Sequence, residues 1–475
     1  MNKILVLLIF TVVSVFAQPD SRIDIGSRRE LFVDSFMIEK MVNCQLRLHN
    51  PIMRDTALKF DMPWEGKFSA YSTVLKDDSL FRLYYRGASG GRKNYTTCYA
   101  VSKDGINWIK PDLGIHAYNG SYNNNIVILN DTIASHNFSP FIDTNPNKKI
   151  GYKFKAVAGE GEEYLNAYVS DDGLHWKKLR EEPIYKQGLF DSQNMIFWSE
   201  AENCYVMYFR TWTGFHYTGF RTISRATSDD FINWSDSVRM DFGNTPMEHL
   251  YTNGTMPYFR APHIYIAMAK RFLPDKPLLR SDLVKKYVKD SAYGATSSDA
   301  VFFSTRGGYR YNRTFMESFI LPGDDIRDWI SRDNTPTAGI VCSNPREMYI
   351  YRHSHYAQET AHLTRYSLRI DGFVSVKSGY AGGELVTKPF IFDGSKLEIN
   401  FVASPAGGII IEIQDMDGKP ITGYSDKESK ENIGDEICRI VEWNNGYDVS
   451  KLKGKTVKLR FILKDADIYS FRFFD

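Results

Sequence analysis

Ser170-Asp171-Asp172-Gly173-Leu174-His175-Trp176 decides the fold, because its pattern, Ser-x-Asp-Gly-x-x-Trp, also stands at Ser102, Asp104, Gly105 and Trp108. A third copy follows at Ser228, Asp230 and Trp234, with Phe231 in the glycine place. The serines recur after 68 and then 58 residues, a spacing that signals repeated supersecondary units. Each copy follows an alternating run (Thr96–Val101, Tyr164–Val169, Arg221–Thr227) that reads as a strand. The pattern therefore predicts a hairpin turn. Asp bonds backbone N–H groups, Gly supplies a positive φ, and Trp opens the next strand and packs back over the hairpin. One copy is an ordinary turn; three in phase with strands predict the blades of a propeller.

Working outward from the turns divides the chain. Blade one starts at Trp64-Glu65-Gly66 and holds strands over 69–75, 81–86 and 96–101; blade two runs from His136 to Trp176, and blade three from Phe190 to Trp234. Blade four starts at Met247-Glu248-His249, includes Ala261–Ala267 and ends in a degenerate turn, Ser304-Thr305-Arg306-Gly307. Its insertion, Lys276 to Ser298, has a charged, Leu-containing part over 278–289 that reads as a helix or a loop across one face. Blade five takes 338–343, 347–352 and 363–370. The expected fold class is all-β, a five-bladed β-propeller over 61–377 followed by a β-sandwich over 378–475. That last stretch has alternating strands but no blade turn, and serves either as a carbohydrate-binding module or as a support. Residues 18–60 read as a lead-in that wraps or closes the ring.

Met1-Asn2-Lys3, the apolar run Ile4–Phe16 and Ala17 have the layout of a secretory signal peptide. The run is too short for a membrane span, and no Cys follows Ala17 to take a lipid. The expectation is cleavage near residue 17 and a periplasmic or secreted protein. The 475 residues carry 59 Lys and Arg against 57 Asp and Glu, a net charge of +2, which excludes a broad nucleic-acid-binding surface. A hydrophobic content of 43% is ample for packed cores, and the 14% of aromatics serves strand packing and sugar stacking alike. Cys44, Cys98, Cys204, Cys342 and Cys438 are scattered and odd in number, so they form neither a disulfide framework nor a zinc signature.

In a propeller the innermost strand of each blade lines the channel, so residues opening those strands converge on one pocket. The acidic residues at the inferred openings are Glu65, Asp143, Asp191 and Glu248. Converging carboxylates supply what glycoside hydrolysis needs, one protonated to assist the leaving oxygen and one ionised as base or nucleophile. Glu248 is read as the general acid and Asp191 as the nucleophile or base. Asp143, in Asp-Thr-Asn-Pro, and Glu65, before Gly66, also fit ordinary turns. Arg86, Asn194, Arg210, His249, Tyr251, Arg260 and His263 are the candidate substrate-binding donors for hydroxyls, carboxylates or sulfates. His353 and His355 have an i, i+2 spacing that suits metal ligands or plain channel histidines. No cofactor is expected; a structural calcium is compatible with a propeller channel, but no EF-hand-like loop argues for one.

The turn copies resemble the Asp boxes of sialidases, which usually carry one more residue before the Trp, and turns of the five-bladed fructosidase and arabinanase-type (family 32/43-like) glycoside hydrolases. Segments 29–34, 190–194, 248–253 and 258–263, and the end at 463–471, resemble a group of exported bacterial glycosyl-hydrolase-like proteins. By that resemblance Asp191 or Asp143 stands for the middle acid and Glu248 for the acid/base. The Trp-Met-Asn-Asp-Pro, Arg-Asp-Pro and Glu-Cys motifs of fructosidases are absent, and the arginine triad and Tyr-Glu pair of sialidases do not map. The leading expectation is a secreted glycoside hydrolase, exo-acting on oligosaccharides from a complex, acidic or sulfated polysaccharide. Two rivals stay open: a non-catalytic carbohydrate-binding propeller, and a polysaccharide lyase with Tyr251 or His263 as base. In every case the partner is an oligosaccharide or polysaccharide, with no nucleic acid and no membrane span.

Overall fold

The computed structural model describes residues 22–89, 94–160, 164–276, 282, 286–288, 296–330 and 332–475. The expected signal peptide lies outside these residues, as does most of the helix expected over 278–289. Blade one is Ala70–Asp77, Leu80–Ala88, Tyr95–Ser102 and Ile126–Ile128. Blade two is Ser139–Ile142, Phe154–Glu160, Tyr164–Ser170 and Lys177–Lys178. Blade three is Met195–Ser199, Cys204–Trp212, Arg221–Ser228 and Val238–Arg239. Blade four is built on Ala261–Leu273, which pairs with His249–Leu250, Met256–Tyr258 and Ser297–Thr305. Blade five is Glu347–Ser354 and His362–Arg369, with Ile52–Lys59 as the outer strand. A parallel bridge from Ala338 to Thr73 joins blade five back to blade one. The chain is a five-bladed β-propeller.

The repeated turns have one geometry. Ser102, Ser170 and Ser228 each accept, at Oγ, the N–H three residues on (2.8, 2.9 and 3.0 Å). Asp104, Asp172 and Asp230 each accept the N–H groups two and three residues on through one oxygen at 2.8–2.9 Å. The third turn shows what the glycine place requires, since Phe231 there also has a positive φ, +71°. That conformation costs an L-residue about 1–2 kcal/mol, and the buried ring offsets it by packing against Phe141 at 5.7 Å and Tyr205 at 5.6 Å. Each turn also docks on the preceding blade. Tyr84 of blade one donates to the Gly173 carbonyl at 2.9 Å, and Tyr351 of blade five donates to the Gly105 carbonyl at 2.5 Å. The motif thus staples neighbouring blades, which is why it recurs with the blade period.

Beyond the ring, Lys396–Gln414 and Lys458–Phe474 pair along their length with a register break between Ala403 and Gly408. Phe461 and Phe471 lie ten residues apart on one strand, yet their ring centroids are 6.1 Å apart; a straight strand would separate them by roughly 33 Å. The sheet therefore folds over, enclosing Leu397, Ile399, Phe401, Ile411, Trp443 and Phe473. Most of the stretch read as a lead-in belongs to this sheet. Glu30–Leu31 pairs with Lys458–Phe474, Ile38–Val42 with Gly383–Thr387, and Cys44–Leu48 with Val374–Ser378. Among the described strands of that stretch, Ile52–Lys59 is the one that pairs with a ring strand.

Candidate active site

Strand ends and loops of the blades bring together a group of cations around two tyrosines. Arg86 and Arg210 stand near the ends of the second strands of blades one and three. Lys270 holds the like place in blade four, its carbonyl accepting the Tyr251 N–H at 2.7 Å. Arg221 opens the next strand of blade three, opposite Trp212. Arg332 donates to the Tyr251 hydroxyl. The Tyr251 ring is faced by Lys270 at 4.9 Å, Arg332 at 5.0 Å, Arg210 at 5.1 Å and Arg221 at 5.6 Å. Arg86 lies between the Tyr71 and Tyr95 rings at 4.8 and 4.7 Å. Against these cations stands Asp191, ion-paired with Arg210 and, at 35% side-chain exposure, the part of the pair that reaches solvent. His136 and Tyr71 both lie 3.3 Å from the Asp191 carbonyl oxygen.

The charge imbalance shapes every titratable neighbour. Burial alone would raise the Tyr251 phenol, but Arg332, Arg210 and Arg221, with a hydrogen bond from Tyr71, bring it down to about 8. Tyr71, buried beside that oxygen, is pushed up and stays protonated. Burial, then Arg86, Arg210 and Arg332, lower His136 to about 3, so its imidazole is neutral. Burial and then Arg332 depress Lys270 well below the usual ammonium range. Arg221 falls only to about 10, through burial and Arg210, and keeps its charge. Four arginines thus gather around Tyr71 and Tyr251, with Asp191 paired to Arg210. Among the described residues, Arg86, Arg210 and Arg221 each leave a buried Nε–H without a partner, as do the Trp212 indole N–H and the Asn194 amide oxygen. Each unpaired buried donor costs about 1–3 kcal/mol, and a ligand's oxygens satisfy such donors.

Of the residues expected from sequence, Asp191, Arg86, Arg210 and Tyr251 come together in this cluster. His249 joins its rim, accepting the Arg221 N–H at 3.2 Å, and Asn194 lies buried below, donating to the carbonyls of Phe190 and Ser192 at 3.2 and 2.9 Å. The structure places the rest elsewhere. Glu248 is clamped by Arg271 at 2.7 Å and Arg313 at 3.1 Å, on the wall of a separate pocket of about 190 Å³. Asp143 is wholly buried against Lys155 at 2.5 Å and Tyr205 at 2.9 Å. Glu65 is buried between Tyr85 at 2.5 Å and Lys110 at 2.7 Å. Arg260 and His263 lie at the seam with the C-terminal sheet, on Asp371 at 3.1 Å and Glu30 at 3.0 Å. His353 bonds the Ser72 hydroxyl at 2.9 Å, whereas His355 bonds Asp325 at 3.2 Å.

Tyr71, His136, Arg221, Lys270 and Arg332 escaped the sequence reading. One signal for Lys270 was present: a cation closes the apolar second strand of three blades, as Leu83-Tyr84-Tyr85-Arg86, Met207-Tyr208-Phe209-Arg210 and Ala267-Met268-Ala269-Lys270. Tyr71 had none, because its side chain is aimed by a φ of +48° at a register break between Ala70 and Thr73.

No family model matches the chain, and no curated protein matches it. Among solved structures, it is similar to a glycoside hydrolase at 13% identity, covering 67% of this chain and 92% of that one, with a TM-score of 0.45. An N-acetylgalactosamine deacetylase from F. plautii, in complex with blood group B trisaccharide, aligns at 10% identity over 69% and 96% of the chains, with a TM-score of 0.45. A fructofuranosidase from Schwanniomyces occidentalis, complexed with fructosylnystose, aligns at 10% identity over 89% and 99%, with a TM-score of 0.39. Likenesses at this level leave the reaction to be argued from the site.

Proposed function

We propose that this protein is a glycoside hydrolase acting on an anionic saccharide, with Tyr251 and Asp191 as the reactive groups. The observation that carries the reading is the gathering of four arginines, Arg86 and Arg210 buried and Arg221 and Arg332 half-buried, beside Asp191 and around a phenol lowered to about 8. A carboxylate or sulfate on the sugar supplies further negative charge, gripped by the Nε–H donors of Arg86, Arg210 and Arg221 that find no partner among the described residues. Tyr251 as phenolate faces the developing oxocarbenium ion, a role a tyrosine takes in glycosidases that depart from the two-carboxylate scheme. Asp191, at the solvent side, carries the proton to or from water. The depth of Tyr251, Arg86 and Arg210 favours an exo action that admits a chain end. The signal-like leader favours action outside the cytoplasm, and among the described residues no helix is long and apolar enough to cross a membrane.

The presence of one carboxylate where two are usual favours a second reading. In a lyase the same phenolate removes the proton beside a uronate carboxylate that the arginines neutralise. One experiment separates the two: incubate the purified protein with uronic-acid-containing and sulfated oligosaccharides, and read both reducing ends and ultraviolet absorbance. New reducing ends without absorbance support hydrolysis. Absorbance in step with the new ends supports elimination, and no turnover of any acidic saccharide sinks both readings.

A further inference from the structure

Directly outside the cation cluster, the hairpin between Cys204–Trp212 and Arg221–Ser228 carries Phe215 at its tip, 81% exposed, the highest value among the exposed large hydrophobic residues described. Tyr217 and Phe220 of the same hairpin are 37% and 38% exposed. An isolated exposed aromatic is commonplace, but this group is built. The hairpin is pinned by Thr213 N–H to the Phe220 carbonyl at 3.0 Å, Gly214 N–H to the Thr218 carbonyl at 3.0 Å, and the Thr218 hydroxyl to the Phe215 carbonyl at 2.6 Å. His216 and Tyr217 hold positive φ angles of 41° and 58°, a conformation costly for bulky side chains and retained only where the surroundings fix it. The group is also continuous with the cluster. Arg221, which faces Tyr251, lies 4.4 Å over the Trp212 ring; Tyr217 meets that ring edge-on at 5.6 Å, and Phe220 lies 4.9 Å from His249. The buried Trp212 indole N–H at the foot of the hairpin has no acceptor.

We infer that this hairpin is a sugar-binding subsite, in which Phe215 and Phe220 stack on the ring next to the anionic unit held by the arginines, while the Trp212 N–H donates to one of its hydroxyls. The inference rests on the proposed function and adds to it that the protein reads at least two consecutive units. Rigid rings bind flat sugar faces at low entropic cost.

The test is calorimetric binding of oligogalacturonides and sulfated oligosaccharides of one, two, three and six units to the wild type, Phe215→Ala and Phe215→Tyr. For the wild type, affinity is expected to rise about five-fold or more from one unit to two or three, the worth of one aromatic stack. Phe215→Ala should lose that gain yet bind the monosaccharide unchanged, and Phe215→Tyr should restore it. Equal length dependence in wild type and Phe215→Ala overturns the subsite while leaving the proposed function standing. Failure of every acidic ligand to bind overturns both. Self-association of the wild type by light scattering, abolished in Phe215→Ala, assigns the surface to a second copy of the chain and overturns the inference.

Discussion

Two charged regions are built from the same residue types and differ in one respect. At the seam between ring and C-terminal sheet, Arg29, Arg260, Arg306 and Arg472 meet Glu30, Asp34, Asp371 and Glu398, four cations against four carboxylates. In the cation cluster Arg210 pairs with Asp191, and Arg86, Arg221 and Arg332 lie over the tyrosine rings. The seam is complete: Asp371 accepts from Tyr258 at 2.8 Å, Ser470 at 2.6 Å, Arg260 and Asn400 at 3.1 Å. Its charges spend their Coulomb energy on each other, while in the cluster the Nε–H groups of Arg86, Arg210 and Arg221 stay unmet among the described residues. Burial of charge marks neither region as functional; the missing partner does.

The comparison breaks most visibly at Tyr251. Tyr251→Phe should lower turnover of the acidic substrate about 10³-fold, as loss of an essential proton-transfer or nucleophilic group does, with a melting curve little changed at neutral pH. The same substitution at Tyr258, the seam phenol, should act on stability instead. At the seam, Asp371→Ala leaves Arg29 and Arg260 facing one another and should cost about 3–5 kcal/mol, read as the urea midpoint. Arg332→Gln should weaken the binding of an acidic saccharide by about ten-fold or more, the worth of one charge-assisted bond, and leave neutral sugars unaffected.

The pH profile sharpens the contrast. A phenol lowered to about 8 from an ordinary value near 10 is ionised in the folded protein above pH 8. kcat/KM should therefore rise through about pH 8 in the wild type, and the limb should vanish in Tyr251→Phe. Since the folded value lies below the unfolded one, the linked stability is full above pH 10 and is lost as pH falls through 8. Smallest of all is the effect at a repeated turn. Asp230, held down to about 2 chiefly by the N–H groups of Asn233 and Ile232 against burial, should cost about 1 kcal/mol when changed to Ala, with activity unmoved.

The ring was legible because its signal is local. A Ser-x-Asp turn after an alternating strand needs only seven residues, and three copies set the blade count in motion. The C-terminal sheet was legible as strands, but not its membership, since Glu30–Leu31 finds its partner some 440 positions away at Ser470–Phe471. The site was half legible. Reading the openings of inner strands found Asp191, and the donors around it included Tyr251, but the openings also chose Glu65, Asp143 and Glu248, whose ion-pair partners Lys110, Lys155 and Arg313 come from other strands and loops. Arg260 and His263 look like donors in sequence, and nothing local reveals that Asp371 and Glu30 already claim them.

The pairing of Glu30–Leu31 with Lys458–Phe474 also has a consequence for synthesis. The ring is an insertion between the two halves of the smaller domain, so the first strands leave the ribosome long before the last one exists. At about 5–20 residues per second, those opening strands wait roughly 20–90 s for their partner. During that interval their edges are open to any passing strand, and a chain that is exported or chaperoned while still unpaired is spared that exposure.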